Sequence, residues 1–248
     1  MSPGESREGP VTVAVRTGPA AEPGSAGKSV MGHLLVGDNR TSGNWGGRAG
    51  SIALAALLRE GFGEGESVYS SELLLSSSDY GYRSRLFPRS KAWVAREVAV
   101  SASRNCIVCG VRWLDQRLGP GDFLAADPAR SVRNLLAWRG SDPGLQSLYD
   151  RVAAADIVII NGEGDVVFAR PSRRQILFFA AVIRLARQLG KRVAFVNAQL
   201  SDCPLTGRNP EAFDVIAGAL QECHFVSVRD PESRLIAQRE MGLGEAAM

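Results

Sequence analysis

Asp156-Ile-Val-Ile-Ile160, running straight into Asn161-Gly-Glu-Gly-Asp165, decides the fold: four consecutive β-branched apolar residues end abruptly in a polar turn with two glycines. An apolar run of this length without alternation predicts a strand buried on both faces, as in a parallel sheet. Downstream, Pro171 to Leu189 predicts a long helix whose apolar face holds Ile176, Phe179, Ala180, Ile183 and Ala186, closed by Gly190. Arg192 to Asn197 (RVAFVN) reads as the next strand and Pro210 to Cys223 as a helix. Phe225 to Val228 is another strand, and a last helix starts near Asp230-Pro231, where proline suits the first turn.

Upstream the same alternation holds. Met31 to Val36 is a short apolar run that stops at Gly37-Asp38-Asn39, and the loop Gly37 to Gly50 (GDNRTSGNWGGRAG) precedes a helix over Ser51 to Glu60. Asp127 to Trp138 and Pro143 to Ala155 read as helices separated by Gly140-Ser-Asp-Pro143, with Asp142 placed to cap the second. Between them, Ser67 to Leu75 and Asn105 to Val111 read as strands and Lys91 to Ser103 as a helix. The expected class is α/β: a Rossmann-like, mostly parallel sheet with helices on both faces and right-handed crossovers. Ligands in such sheets sit outside the carboxyl ends of the strands, where the glycine-rich and polar segments of this sequence fall.

The sequence of 248 residues carries 29 Lys+Arg against 26 Asp+Glu, a net charge of +3, with 45% hydrophobic residues. That supplies a real core and no basic stripe, so nucleic acid is a poor partner class. Residues 1 to 29, dominated by Gly, Pro, Ala, Ser and Glu, are expected to be a disordered tail. The most apolar window, Ile176 to Ile183, falls short of a membrane span, and Val11 to Val15 is too short for a signal segment, which points to the cytoplasm. Cysteines at 106, 109, 203 and 223 do not form a disulfide framework. Cys106-Ile-Val-Cys109 lacks a second metal pair, so no metal site is expected.

Three segments carry chemistry. In Gly162-Glu163-Gly164 the glycines let backbone approach a ligand, and Glu163 can accept from sugar hydroxyls or hold its own loop. The Gly37 to Gly47 loop, with Asp38, Asn39, Asn44 and Gly46, opens onto a helix N-terminus that favours a phosphate or carboxylate, and it lacks the Gly-Lys-Ser/Thr of a triphosphate loop. In Val226-Ser-Val-Arg-Asp-Pro-Glu-Ser233, Arg229 can clamp an anion in a bidentate fork, with Ser233 in the next first turn; the alternative is an Arg229–Asp230 pair and a plain helix cap. His33 and His224 read as satisfied structural residues. Arg170, Arg173 and Arg174 read as a solvated helix face.

Taken together, GDNRTSGNWGGRAGSIALAALL, ADIVIINGEGDVVF, ARQLGKRVAFVNAQLSD and VSVRDPESRLIAQREMGL resemble the polysaccharide pyruvyl transferase family over roughly residues 31 to 243. The resemblance implies transfer of a pyruvyl group from phosphoenolpyruvate to two hydroxyls of a sugar or polysaccharide precursor, as a cyclic ketal, with no cofactor. It also implies a fold like that of the glycosyltransferase B class, with the site in a cleft between two Rossmann-like halves. Arg229 would then grip the donor, with Asp38, Asn39, Asn44, Gly46, Gly162, Glu163, Gly164 and Ser233 lining the same cleft. The family's second half carries its general acid/base histidine, which neither His33 nor His224 matches, and the sequence ends at Gly244-Glu-Ala-Ala-Met248. The expectation is one Rossmann-like domain over 30 to 248, inactive until a second half completes it, with the catalytic acid unassigned. Two alternatives stand: a glycosyltransferase-like domain that binds a nucleotide sugar, and a non-catalytic half-domain that docks on a second copy or a partner chain.

Overall fold

The computed structural model describes residues 31–41, 44–69, 123–170 and 172–244. The expected tail, the helix over 91–103, the strand over 105–111, the Cys106/Cys109 pair and most of the strand read at 67–75 lie outside the described residues.

Strand β1 is His33–Asp38, followed by helix α1 (Trp45–Phe62) and strand β2 (Glu66–Tyr69). Helices α2 (Pro128–Trp138) and α3 (Pro143–Ala154) follow, each with an aspartate cap and a proline in its first turn. Asp127 and Asp142 each accept two backbone N–H groups that the helix geometry leaves unpaired. Next come β3 (Ile157–Asn161), the short β4 (Val166–Phe168), α4 (Arg174–Gln188), β5 (Arg192–Ala198) and the short β6 (Leu200–Asp202). Helix α5 (Pro210–Gln221), β7 (Phe225–Val228) and α6 (Pro231–Leu235) complete the order, with Ile236–Glu240 continuing α6 as a π-type turn.

Five strands form one sheet in the order β2-β1-β3-β5-β7, every pair parallel. Adjacent strands hold a simple register, for example Val36 beside Ile160 and Ile160 beside Phe195. Alternate residues then face opposite sides. Leu34, Val36, Val158, Ile160, Val193, Phe195 and Val226 bury against α2, α3, α4 and α5, whereas Leu35, Ile159 and Ala194 meet Leu54, Leu58 and Phe62 of α1. The sheet is thus Rossmann-like with helices on both faces. Helix α4 is buried along most of its length, since it lies between the sheet and its neighbours α2 and α5. Glycine at 190 adopts φ 71° directly after it, the left-handed conformation that ends a helix.

Four expectations need correction. Helix α1 begins at Trp45 rather than Ser51, because Asn44 caps it by accepting the Gly46 N–H at 3.1 Å. Helix α4 begins at Arg174 rather than Pro171. The strands β4 and β6, which pair in parallel as a separate two-stranded sheet, were not expected at all. Arg174 does not belong to a solvated face: it is 4% exposed, with its guanidinium 5.9 Å from the Phe123 ring, because the approach to α4 folds under the segment that leads into α2. No described helix is long and apolar enough to cross a membrane.

Candidate functional site

Numbered along the sheet alone, the strand order is 2-1-3-4-5, and the order reverses between β1 and β3. At such a switch point the loops leaving the two strands diverge to opposite faces and open a crevice at their carboxyl ends. The residues there are Asp38 and Asn39 from β1 and Asn161 to Asp165 from β3. Asn197 to Gln199 from β5 and Arg229 to Asp230 from β7 lie on the same edge.

Asn161 fastens this edge. It is 1% exposed, donates to the Gly37 carbonyl at 3.2 Å and to Ser51 Oγ at 3.1 Å, and accepts the Asn197 side-chain amide at 3.0 Å. Ser51 Oγ also accepts the Asn39 backbone N–H at 3.0 Å. One asparagine and one serine therefore lock β1, β3, β5 and α1 together with their buried polar groups satisfied.

Glu163 stands on that base with φ 39°, a left-handed conformation unfavourable for a residue with a Cβ. Its carbonyl accepts the Gln199 N–H at 2.6 Å, and its carboxylate accepts from the Asn39 side-chain amide. A methyl placed on Gly47 would lie 2.6 Å from Glu163 Oε1, so the carboxylate rests directly on the first turn of α1. That turn has no acidic residue of its own. Glu163 supplies the negative charge that the helix N-terminus favours, in the position the sequence suggested for a ligand anion. Asn44 is likewise committed to its cap, beside Gly46.

Gly162 is forced by packing: a Cβ there would come within 2.5 Å of the Phe195 ring and 2.9 Å of Ala198 Cβ. Gly164 is the point of approach to Arg229, since its Cβ position lies 3.7 Å from both Arg229 Nη2 and Gln199 Oε1. The Arg229 backbone is set by an N–H donated to the Ala198 carbonyl at 3.0 Å, and its exposed guanidinium donates to Gln199 Oε1. Asp230 does not pair with it; Asp230 instead caps α6 through the Ser233 N–H at 2.8 Å.

The structure therefore gathers Asn39, Glu163, Gly164 and Arg229 at one edge. It withdraws two others. Asp38 is fully buried, with its carboxylate held by the Arg40 guanidinium at 2.6 Å and by the Arg40 N–H at 3.0 Å. Ser233 is fully buried too, with its hydroxyl bonded to Asp230 and to the Leu200 N–H, which makes it part of the cap.

Asp165 was not singled out by the sequence reading. Burial, then the neighbouring Glu163 carboxylate, raise its pKa from 3.8 to about 6, against the opposing pull of Arg173. Two carboxylates separated by one glycine in a tight turn were the signal that could have revealed it. Arg173 also acts on Cys203, although the hydroxyl and backbone N–H of Thr206 and the N–H of Leu205 matter more in lowering that thiol below its usual range. Cys223 is the opposite case, pushed up to about 12 mainly by burial.

The two histidines lie away from this edge. His224 is structural, its Nδ1 accepting the Val193 N–H at 3.1 Å. His33 packs on Phe62 with its ring flush against Gly65, and its buried Nδ1 has no hydrogen-bond partner among the described residues, so it is not the satisfied core residue expected. It lines a cleft of about 300 Å³ at the amino end of β1, and a second cleft of about 520 Å³ runs between β2 and α3. Neither collects the strand-end glycines and amides that hold a ligand in such a sheet. No group of His, Cys, Asp and Glu among the described residues is arranged to hold a metal. No protein-family model, curated protein or solved structure matches the chain.

Proposed function

We propose that this chain binds phosphoenolpyruvate at the carboxyl edge of its sheet, as the donor half of a pyruvyl transferase acting on sugar hydroxyls. The reading is supported above all by Arg229: an exposed guanidinium at the end of β7, beside a glycine turn that leaves room for a small anion. A guanidinium can take a phosphate or carboxylate through two parallel hydrogen bonds, and Gln199, its present partner, is a neutral group that an anion outcompetes. Asn39 and Glu163 offer a donor and an acceptor for acceptor hydroxyls on the other side of the turn. The cleft between two halves belongs to the same proposal, with the second half facing this edge.

Phosphoenolpyruvate tests it directly. At about a hundredfold excess over its dissociation constant a ligand stabilises the folded chain by about 2.7 kcal/mol, which thermal melting reads easily. The expected result is a clear rise in melting temperature that Arg229→Ala abolishes. No rise at saturating ligand would sink the proposal, and a rise produced by UDP- or GDP-sugars instead would favour the nucleotide-sugar alternative.

A further inference from the structure

We propose that the outer face of α1 is a self-association surface, on which a second copy of this chain lays its own α1 antiparallel about a two-fold axis.

Helix α1 is apolar on the side it shows to solvent as well as on the side it buries. Gly47, Ser51 and Leu58 face inward and are buried. At 3.6 residues per turn the opposite side carries Trp45, Ala49, Ile52, Ala53 and Ala56, all exposed, with Leu57 on the flank. Trp45 is 80% exposed, Ile52 52% and Leu57 64%. From Ala49 to Leu58 there is no charge, and the one polar side chain, Ser51, is among the buried ones. A helix that is apolar all round belongs in an interior, yet no described element packs on this outer face.

A copy of the same face fits it, because the helix is complementary to itself end for end. The outer face is bulky at its start, at Trp45, and small through the middle, at Ala49, Ala53 and Ala56. It is bare near its end, at Gly61, where an added Cβ would meet nothing within 4 Å. A two-fold axis between Ile52 and Ala53 lays each Trp45 across Gly61 of the second copy and sets Ala49 against Ala56, so the helix axes can approach to about 8 Å. The ends also carry opposite charge. Arg48, its guanidinium 5.4 Å from the Trp45 ring centre, stands at the start, and the exposed Glu60 stands near the end. Arg59 beside it is already paired with Glu64 at 3.2 Å. The same axis brings Arg48 of each copy within a turn of Glu60 of the other, whereas parallel packing would oppose Arg48 to Arg48 and Trp45 to Trp45. A self-complementary contact of this kind closes at two subunits.

The size of the face sets the strength. Eighteen residues make α1 about 27 Å long. Two such faces bury less than the roughly 1,200 Å² of a stable complex, so the dimer is weak and reversible.

Sedimentation velocity of the full chain over about 1 to 200 μM reads it, with a monomer–dimer equilibrium expected inside that range. Ile52→Glu, beside the axis, should abolish the dimer, and Leu205→Glu, on an equally open residue outside α1, should leave it unchanged. Arg48→Glu and Glu60→Arg should each weaken it about fivefold or more, and the two together should restore it to within about twofold of wild type. Both reversals put their charges where the helix dipole favours them, so a lost dimer is not a lost fold. A monomer at every concentration overturns the proposal, and so does a dimer that survives Ile52→Glu or that the double reversal fails to restore.

Discussion

A carboxyl that holds its proton more tightly in the folded chain than in the unfolded one makes stability depend on pH in a direction opposite to most aspartates. Unfolded, Asp165 titrates near 3.8, and folded it titrates near 6. Between those values the folded state carries more protons, so stability falls as pH rises, with the penalty absent below about 4 and fully developed above about 6. A two-unit shift corresponds to about 3 kcal/mol at most, reduced to roughly 1 to 2 by partial exposure. Asp165→Asn should therefore stabilise the protein by that amount at pH 7 and by nothing at pH 4, as read by urea unfolding. An equal effect at both pH values would count against the raised pKa. The sequence could not show this residue directly, since its character comes from burial and then from the Glu163 carboxylate, with Arg173 pulling the other way from the approach to α4. Arg174 illustrates the same limit: three arginines near a helix start look solvated in sequence, and only the fold brings Phe123 over one of them.

At the scale of elements, the glycines of the candidate site do two separable jobs. Gly162 is packed against the buried Phe195 ring, so Gly162→Ala should destabilise by about 1 to 3 kcal/mol through overpacking. Gly47 meets only the end of the flexible Glu163 side chain, and alanine is the better helix former by about 1 kcal/mol. Gly47→Ala should leave stability within about 1 kcal/mol while pushing Glu163 off Asn39, and it should leave the Arg229-dependent melting shift with phosphoenolpyruvate in place, since Glu163 serves the acceptor side. A large loss of stability from Gly47→Ala would mean that Glu163 is fixed more rigidly than this. The long buried elements were legible because their signals are local: DIVII and Phe225 to Val228 fall within a residue of the expected strands, and the periodic run of α4, closed by Gly190, starts only three residues later than expected. The three-residue strands β4 and β6 carry no such pattern, since VVF and LSD become strands only by pairing with one another. Helix α1 started early for a related reason. Its glycine-rich first turn has poor intrinsic propensity and is held by the Asn44 cap and by Glu163 from across the edge.

Among the described residues the two faces of the sheet are covered unequally. On one side α2, α3, α4 and α5 surround Phe195, which is fully buried and packs edge-on to Phe179 at 5.6 Å. On the other, α1 covers Leu35 and Ile159 closely but leaves Ile157, Val196 and Phe225 only partly buried, and its own Ile52 and Leu57 stay more than half exposed. Removing a large side chain costs in proportion to the contacts it loses and to how little the site can relax. Phe195→Ala should accordingly cost about 3 to 5 kcal/mol, within the range for a fully packed phenylalanine, and Phe225→Ala should cost well under half of that. Urea unfolding of the two variants, compared at equal m-value, reads the difference. Equal losses would mean that the α1 side of the sheet is as fully covered in solution as the side that carries α4.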